Sequence, residues 1–234
     1  MGDFDKDNAG EEPAAISSPQ EDADREAIAA LTLRLRSGGI RDNRVLSAIE
    51  RVPRRLFLSA ALQKHAHTDT ALPIECGQTI SQPTVVAWMT AALEIAPEHK
   101  VLEVGTGSGY QAAVLGHLSR EVHSIERYRT LADLARERLS TLKISSVTVH
   151  HGDGLEGLPE KAPFDRIIVT AAGPEIPPAL LAQLADGGKL IMPVGPKGGV
   201  QVLTLAEKKG ATIVTRALQE VRFVPLVEGV ASRL

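Results

Sequence analysis

The stretch Val101-Leu102-Glu103-Val104-Gly105-Thr106-Gly107-Ser108-Gly109-Tyr110 constrains the fold of this 234-residue chain more than any other. An apolar strand runs straight into glycines at alternate positions, and an apolar helix is expected to follow over residues 109–118. Alternate glycines let the backbone turn sharply and let a ligand approach without meeting a Cβ. A second apolar strand, Val122 to Ile125, ends at Glu126, about twenty residues past the first glycine. A carboxylate there can accept hydrogen bonds from both ribose hydroxyls of a bound nucleoside; its plainer role is a surface helix cap. The pattern predicts a βαβ nucleoside-binding half.

The spacing of the glycines indicates which nucleoside. A dinucleotide site needs a small residue where helix and strand pack closely, five positions after Gly105. Tyr110 stands there and is too large. Glu103, Gly105, Gly107 and Gly109 together resemble the first motif of S-adenosylmethionine-dependent methyltransferases, whose ligand carries an amino-acid tail instead of a pyrophosphate. An acidic group at Glu103 suits the neighbourhood of an ammonium. A plain strand-to-helix turn is the competing reading.

Composition removes several function classes. The formal net charge is −3 and aromatic residues make up 3% of the chain, so neither phosphate neutralisation nor base stacking has the side chains it needs. Nucleic acid is therefore not expected as a partner. Cys76 is the only cysteine, which excludes an intrachain disulfide and fits a reducing cytoplasm. No apolar run reaches membrane-spanning length, and the first residues lack the pattern of a secretion signal. A soluble, cytoplasmic monomer without a membrane partner is expected.

Residues 1–24 are rich in Asp, Glu, Ala, Ser and Pro and have too little apolar surface to fold, so they read as a disordered acidic tail. One methyltransferase domain is expected over 25–234. Its parts are N-terminal helices and a loop (25–95), a nucleoside-binding core (96–195) and a C-terminal hairpin (196–234). Ile28, Leu31 and Leu35 recur at helical spacing, as do Val45, Leu46 and Ile49 after the Gly38-Gly39 break. Arg34, Arg36, Arg41, Arg44, Arg51, Arg54 and Arg55 on these helices read as solvated faces rather than a nucleic-acid patch. Gln82-Pro83 starts a helix to Leu93, with proline in the first turn. Strands at 101–104, 122–126, 146–150, 166–170 and 188–193 alternate with helices at 109–118, 129–141 and 177–184, predicting a mostly parallel sheet covered on both faces. Two strands around Lys208-Lys209-Gly210 add an antiparallel hairpin.

Gly77-Gln78-Thr79-Ile80-Ser81-Gln82-Pro83 resembles the signature of protein-L-isoaspartate O-methyltransferases. The resemblance continues through Val101–Gly109, Gly152-Asp153-Gly154, Phe164 to Ala172, Leu184 to Leu190 and Arg222-Phe223-Val224-Pro225-Leu226. It covers roughly residues 30–227. It implies a Rossmann-like α/β fold and transfer of a methyl group from S-adenosyl-L-methionine, leaving S-adenosyl-L-homocysteine, to the α-carboxylate of isoaspartyl residues in damaged proteins and peptides. The ester then closes to a succinimide, which hydrolyses partly to aspartate. The resemblance also implies Ser81 as the catalytic residue. The cofactor residues it implies are Thr79, Ile80, Ser81, Glu103, Gly105, Thr106, Gly107, Ser108, Gly109, Glu126, Arg127, Asp153 and Gly154, with Asp153 reaching the adenine amino group. No metal is implied. After the signature proline the family often has a bulky Tyr or His and then Met; Thr84, Val85 and Val86 stand here instead, which points to a shifted peptide preference.

The acceptor chemistry agrees with this reading. A carboxylate is ionised at neutral pH, so no general base is required, only alignment and exclusion of water. Ser81 can hydrogen-bond the acceptor; as a nucleophile it would need a base and a G-x-S-x-G elbow, which is absent. Ser81 also reads as a helix cap. Asp153-Gly154 could be a simple turn. His65 and His67 lack companions for a metal and read as surface residues. Cys76 reads as a small packed residue. Among rivals, amino-group methyltransferases of nucleic acids need a polar side chain and an aromatic where Thr170-Ala171-Ala172-Gly173-Pro174 stands. A non-catalytic cofactor-binding module is the remaining alternative.

Overall fold

A computed structural model describes residues 19–231. The chain runs through α1 (Pro19–Ser37), α2 (Asn43–Arg51), β1 (Leu72–Pro73), β2 (Thr79–Ile80) and α3 (Pro83–Ala92), with 3₁₀ turns at Arg54–Phe57, Ala60–His65, Glu75–Gly77 and, further along, Pro159–Lys161. It continues through β3 (Lys100–Val104), α4 (Tyr110–Gly116), β4 (Glu121–Glu126), α5 (Arg129–Thr141), β5 (Val147–His151) and β6 (Phe164–Val169). α6 (Pro178–Ala182), β7 (Leu184–Val194), β8 (Gln201–Lys209) and β9 (Thr212–Val221) complete it. β1 and β2 form a small antiparallel pair. The main sheet has the order β5-β4-β3-β6-β7-β8-β9. Its first five strands are parallel, and β8 and β9 join antiparallel. The expected α/β architecture is present: a mostly parallel sheet, helices on both faces, added N-terminal helices and a C-terminal hairpin.

Side chains of successive strand residues separate into two cores. Val101, Val122, Val149, Ile168 and Ile191 face the large cluster under α1 to α5, whereas Leu102, Val104, Ile125, Ile167 and Met192 face the smaller one under α6. Burial on both faces is why these strands read as continuous apolar runs rather than alternating ones. Asp42 caps α2 by accepting the Arg44 and Val45 N–H groups. Tyr110, 2% exposed, packs edge-on against Phe57 with ring centroids 5.5 Å apart. The position that a dinucleotide site keeps small is thus spent on docking the N-terminal segment.

Several boundaries differ from the sequence expectation. α1 begins at Pro19, inside the segment read as an acidic tail, of which residues 1–18 lie outside the described residues. The loop before α3 carries the short β1–β2 pair, too brief for periodicity to reveal. β7 starts at Leu184, where a register shift opposite Phe164–Arg166 absorbs the Asp186-Gly187-Gly188 turn residues. Two of the N-terminal arginines fasten other segments: the exposed Arg44 donates to the Ile95 and Leu118 carbonyls, and Arg54 is 2% exposed. Among the described residues, no helix is long and apolar enough to cross a membrane.

Candidate active site

The sheet changes winding direction between β3 and β6, and a cavity opens at the carboxyl ends of these strands. This switch point is where open parallel sheets bind ligands, because the loops diverge there and leave a crevice. Thr79, Gly105, Gly107, Glu126, Arg127 and Gly154 line it, all expected from sequence. Val104, Ile125, Val224, Pro225, Leu226 and Val227 add apolar walls suited to a purine. Ile80, Glu103, Thr106, Ser108, Gly109 and Asp153 are not in its lining.

The glycine loop owes its shape to two positions. Gly105 has φ +96°, and a Cβ there would come within 2.4 Å of Thr170 Oγ1. Gly107 has φ +53° and faces open space, with only Ile74 Cδ1 at 3.8 Å. Both lie in the left-handed region that glycine adopts without cost. Glu126 holds this loop from β4: its carboxylate accepts the Gly107 N–H at 2.8 Å and the Tyr128 N–H at 2.9 Å. Each oxygen keeps a second lone pair for a ribose hydroxyl. The open Gly107 face, the fixed carboxylate and the apolar walls fit an adenosyl ligand.

Glu103 plays an indirect part. Fully buried, it accepts a short hydrogen bond from the Ser124 hydroxyl, which lies 2.5 Å from Thr106 Oγ1. Its other oxygen, Oε1, has no hydrogen-bond partner among the described residues. Burial pushes the Glu103 carboxyl up to about 8, against the Ser124 bond and with the Glu126 charge. The folded state therefore keeps a proton that the unfolded chain loses near pH 4.5. Stability should fall as pH rises from about 4.5 to 8 and then level off, with a cost on the order of 3 kcal/mol at pH 7. Thermal melts of Glu103→Gln should lack this descending slope; a parallel slope in mutant and parent would show that Glu103 is ionised throughout.

The chain end closes one side of the cavity. Asp153 Oδ1 accepts the Leu155 N–H at 2.9 Å, the turn anticipated from sequence. Its Oδ2 accepts the Gly229 N–H at 2.7 Å, a contact the sequence did not reveal. Arg127 donates to the Gly229 and Glu228 carbonyls and stacks 4.9 Å over the Tyr128 ring, while Ala231 N–H returns to the Arg127 carbonyl. Residues 226–231 thereby strap across the cavity. Tyr128 and Val227, which line it, were not expected; no motif marks them.

A second cavity lies beside the first. Ser81, Gln82, Thr84, Val85 and Thr70 line it, with Gln219 to Val224 opposite. Thr79, Thr170 and Val224 belong to both linings, so the two spaces meet there. Thr170 donates to the Gly105 carbonyl at 2.6 Å, linking this shared wall to the glycine loop. The role of Ser81 as a helix cap does not hold. Gln82 occupies the N-cap of α3 without a side-chain cap bond, and Asp69 accepts the Thr84 N–H instead. Among the described residues no histidine lines either cavity, and Glu220 is the acidic side chain that shares a lining with Ser81.

The remaining candidates are not brought into the site. His65 is exposed; His67 is half-buried, 3.6 Å from Asp24. Among the described residues no group of three or more His, Cys, Asp and Glu could hold a metal. Cys76 is half-buried at φ +60°, and burial together with the Glu126 and Glu75 charges pushes its thiol up, away from a reactive thiolate.

A profile of the protein-L-isoaspartate(D-aspartate) O-methyltransferase family matches residues 26–231. The chain is 59% identical over 203 residues to the protein-L-isoaspartate O-methyltransferase of Parvibaculum lavamentivorans, covering 86% of this chain and 91% of that one. The Azorhizobium caulinodans relative of the same name is 52% identical, with 91% and 98% covered. Among solved structures, a protein-L-isoaspartate O-methyltransferase superposes with TM-score 0.78 at 30% identity, covering 85% of this chain and 65% of that longer one. A Plasmodium falciparum structure described as such an enzyme in complex with S-adenosyl-L-homocysteine gives TM-score 0.74 at 28% identity, with 85% and 97% covered.

Proposed function

The chain belongs to the protein-L-isoaspartate(D-aspartate) O-methyltransferase family, and on that premise we propose that it methylates the free α-carboxylate of L-isoaspartyl residues in damaged proteins and peptides. S-adenosyl-L-methionine, when bound, supplies an electrophilic methyl on a sulfonium. The observation that carries the reading is the pair of adjoining cavities with Thr79, Thr170 and Val224 in common. One has the carboxylate and apolar walls an adenosyl group needs; the other has the Ser81 hydroxyl.

In this reading Glu126 binds the ribose diol and fixes the glycine loop, Ile125, Gly154 and Leu226 enclose the adenine, and Asp153 anchors the strap beside it. Ser81 donates a hydrogen bond to one oxygen of the acceptor carboxylate, leaving the other free to face the methyl. The acceptor is already an anion, so no residue must remove a proton; orientation and exclusion of water do the work. A single catalytic unit that takes in α1 from Pro19 acts as a monomer in the cytoplasm, without nucleic acid.

The decisive experiment compares methyl incorporation into an isoaspartyl peptide with its aspartyl twin. Incorporation into the first alone is expected; equal labelling of both would overturn the substrate assignment. A parallel calorimetric titration should show S-adenosyl-L-homocysteine binding and no response to NAD, since Tyr110 occupies the position that a dinucleotide site keeps small. NAD binding without S-adenosyl-L-homocysteine binding would overturn the cofactor assignment.

A further inference from the structure

We infer that Asp69 is a positioning residue for the acceptor side of the site, clipping the 66–70 loop to the segment Ser81–Thr84 in concert with Arg54. The inference rests on the acceptor role proposed for Ser81. That serine lies between β2 and α3, in a segment without regular hydrogen bonding, and sequence alone offers no reason for it to stand still. Two clips fix it. On one side Asp69 accepts the Thr84 N–H at 2.9 Å, the Thr84 hydroxyl at 2.6 Å and the Gln82 Nε2 amide at 3.0 Å. On the other, the buried Arg54 guanidinium donates to the Ala66 carbonyl at 2.8 Å, the Thr70 carbonyl at 3.0 Å and the Ser81 carbonyl at 2.9 Å.

Both clips join the same two segments, and Ser81 is held between them by its own carbonyl and by Thr84. Asp69 does not line the acceptor cavity, but Gln82 and Thr84 do, so it acts through them. Its charge matters as well. Burial works to raise the Asp69 carboxyl, but the hydrogen bonds from Thr84 and Gln82 and the Arg34 charge outweigh it and hold the carboxyl below its usual range. A free carboxylate beside a site for an anionic acceptor would repel it. Here both oxygens are turned into the helix start and the charge is spread over three donors. The Thr84 hydroxyl makes the shortest of the three contacts.

The test combines steady-state methylation of an isoaspartyl peptide, S-adenosyl-L-homocysteine affinity and amide exchange at Thr84 in full-length protein. Asp69→Asn should lower kcat/KM about 10-fold, chiefly through KM for the peptide, with cofactor Kd changed less than about two-fold. Thr84→Val should lower kcat/KM about three-fold and Thr84→Ser should restore it, since only the hydroxyl is at issue. Amide exchange at Thr84 should quicken at least about 10-fold in Asp69→Ala. Unchanged kcat/KM in Asp69→Asn and Thr84→Val would overturn the inference. So would an equal loss of cofactor affinity and Tm, which marks a general structural effect. Failure of the parent to methylate the peptide would refute the functional reading instead, and the exchange rate would still decide the clip. If Asp69→Ala does not fold, the peptide KM of Asp69→Asn and Thr84→Val decides it: values equal to the parent's overturn the inference.

Discussion

Glu126→Ala is expected to weaken S-adenosyl-L-homocysteine binding by about 100-fold or more, roughly 3 kcal/mol, because three functions are lost with one carboxylate. The side chain is 5% exposed, and its two oxygens hold the Gly107 and Tyr128 N–H groups. Their loss frees the glycine loop on one side and the start of α5 on the other, before any ribose contact is counted. Leaving those donors unpaired should also cost stability, about 1–3 kcal/mol. This exceeds what a strand-end carboxylate with little core packing would cost. Glu126→Gln should fall between, since its carbonyl can keep one acceptor while its amide cannot serve a second N–H. Calorimetric titration, with circular dichroism to establish folding, makes the measurement. A folded alanine variant with the parent affinity would remove Glu126 from the cofactor site.

Ser81→Ala should lower kcat/KM on an isoaspartyl peptide by about 10- to 100-fold, equivalent to one well-placed hydrogen bond of ~1.4–2.7 kcal/mol. Cofactor affinity should hold, since the ribose and adenine walls lie in the neighbouring cavity. The melting temperature should hold too. A capping serine would have carried about 1 kcal/mol of helix stability, but Asp69 supplies that bond. The alanine variant therefore separates chemistry from folding cleanly. Steady-state methylation beside a melt gives the answer: full activity would leave Ser81 without a role, and a covalent adduct trapped on the parent serine would establish a nucleophilic mechanism.

Sequence legibility followed the range of the interactions involved. α5 was readable to both ends because its apolar stripe Leu131, Ala132, Ala135 and Leu139 is local and periodic. The glycine loop was readable because its φ angles restrict the residue types that fit. Arg54 looked like one of several surface arginines because nothing within a few residues announces burial; its partners Ala66, Thr70 and Ser81 come from elsewhere in the chain. The cap of α3 was misread for the same reason. Ser81 sits where a local cap would, while the carboxylate that performs the task is fifteen residues before Thr84. Glu103 carried a visible motif, but its depth below the cavity depends on packing from both neighbouring strands.

The strap over the adenosyl cavity has a consequence for ligand-linked stability. Asp153 and Arg127 bind residues 226–231 into a wall of that cavity. A chain cut short at residue 225 would retain all seven strands of the main sheet while losing one side of its ligand site. Mass-action stabilisation by an abundant ligand reaches only a protein that can hold it. S-adenosyl-L-homocysteine should then raise the melting temperature of a chain with residues 226–231 in place and leave that of one cut at residue 225 unmoved, so ligand-linked stability reports on the strap itself.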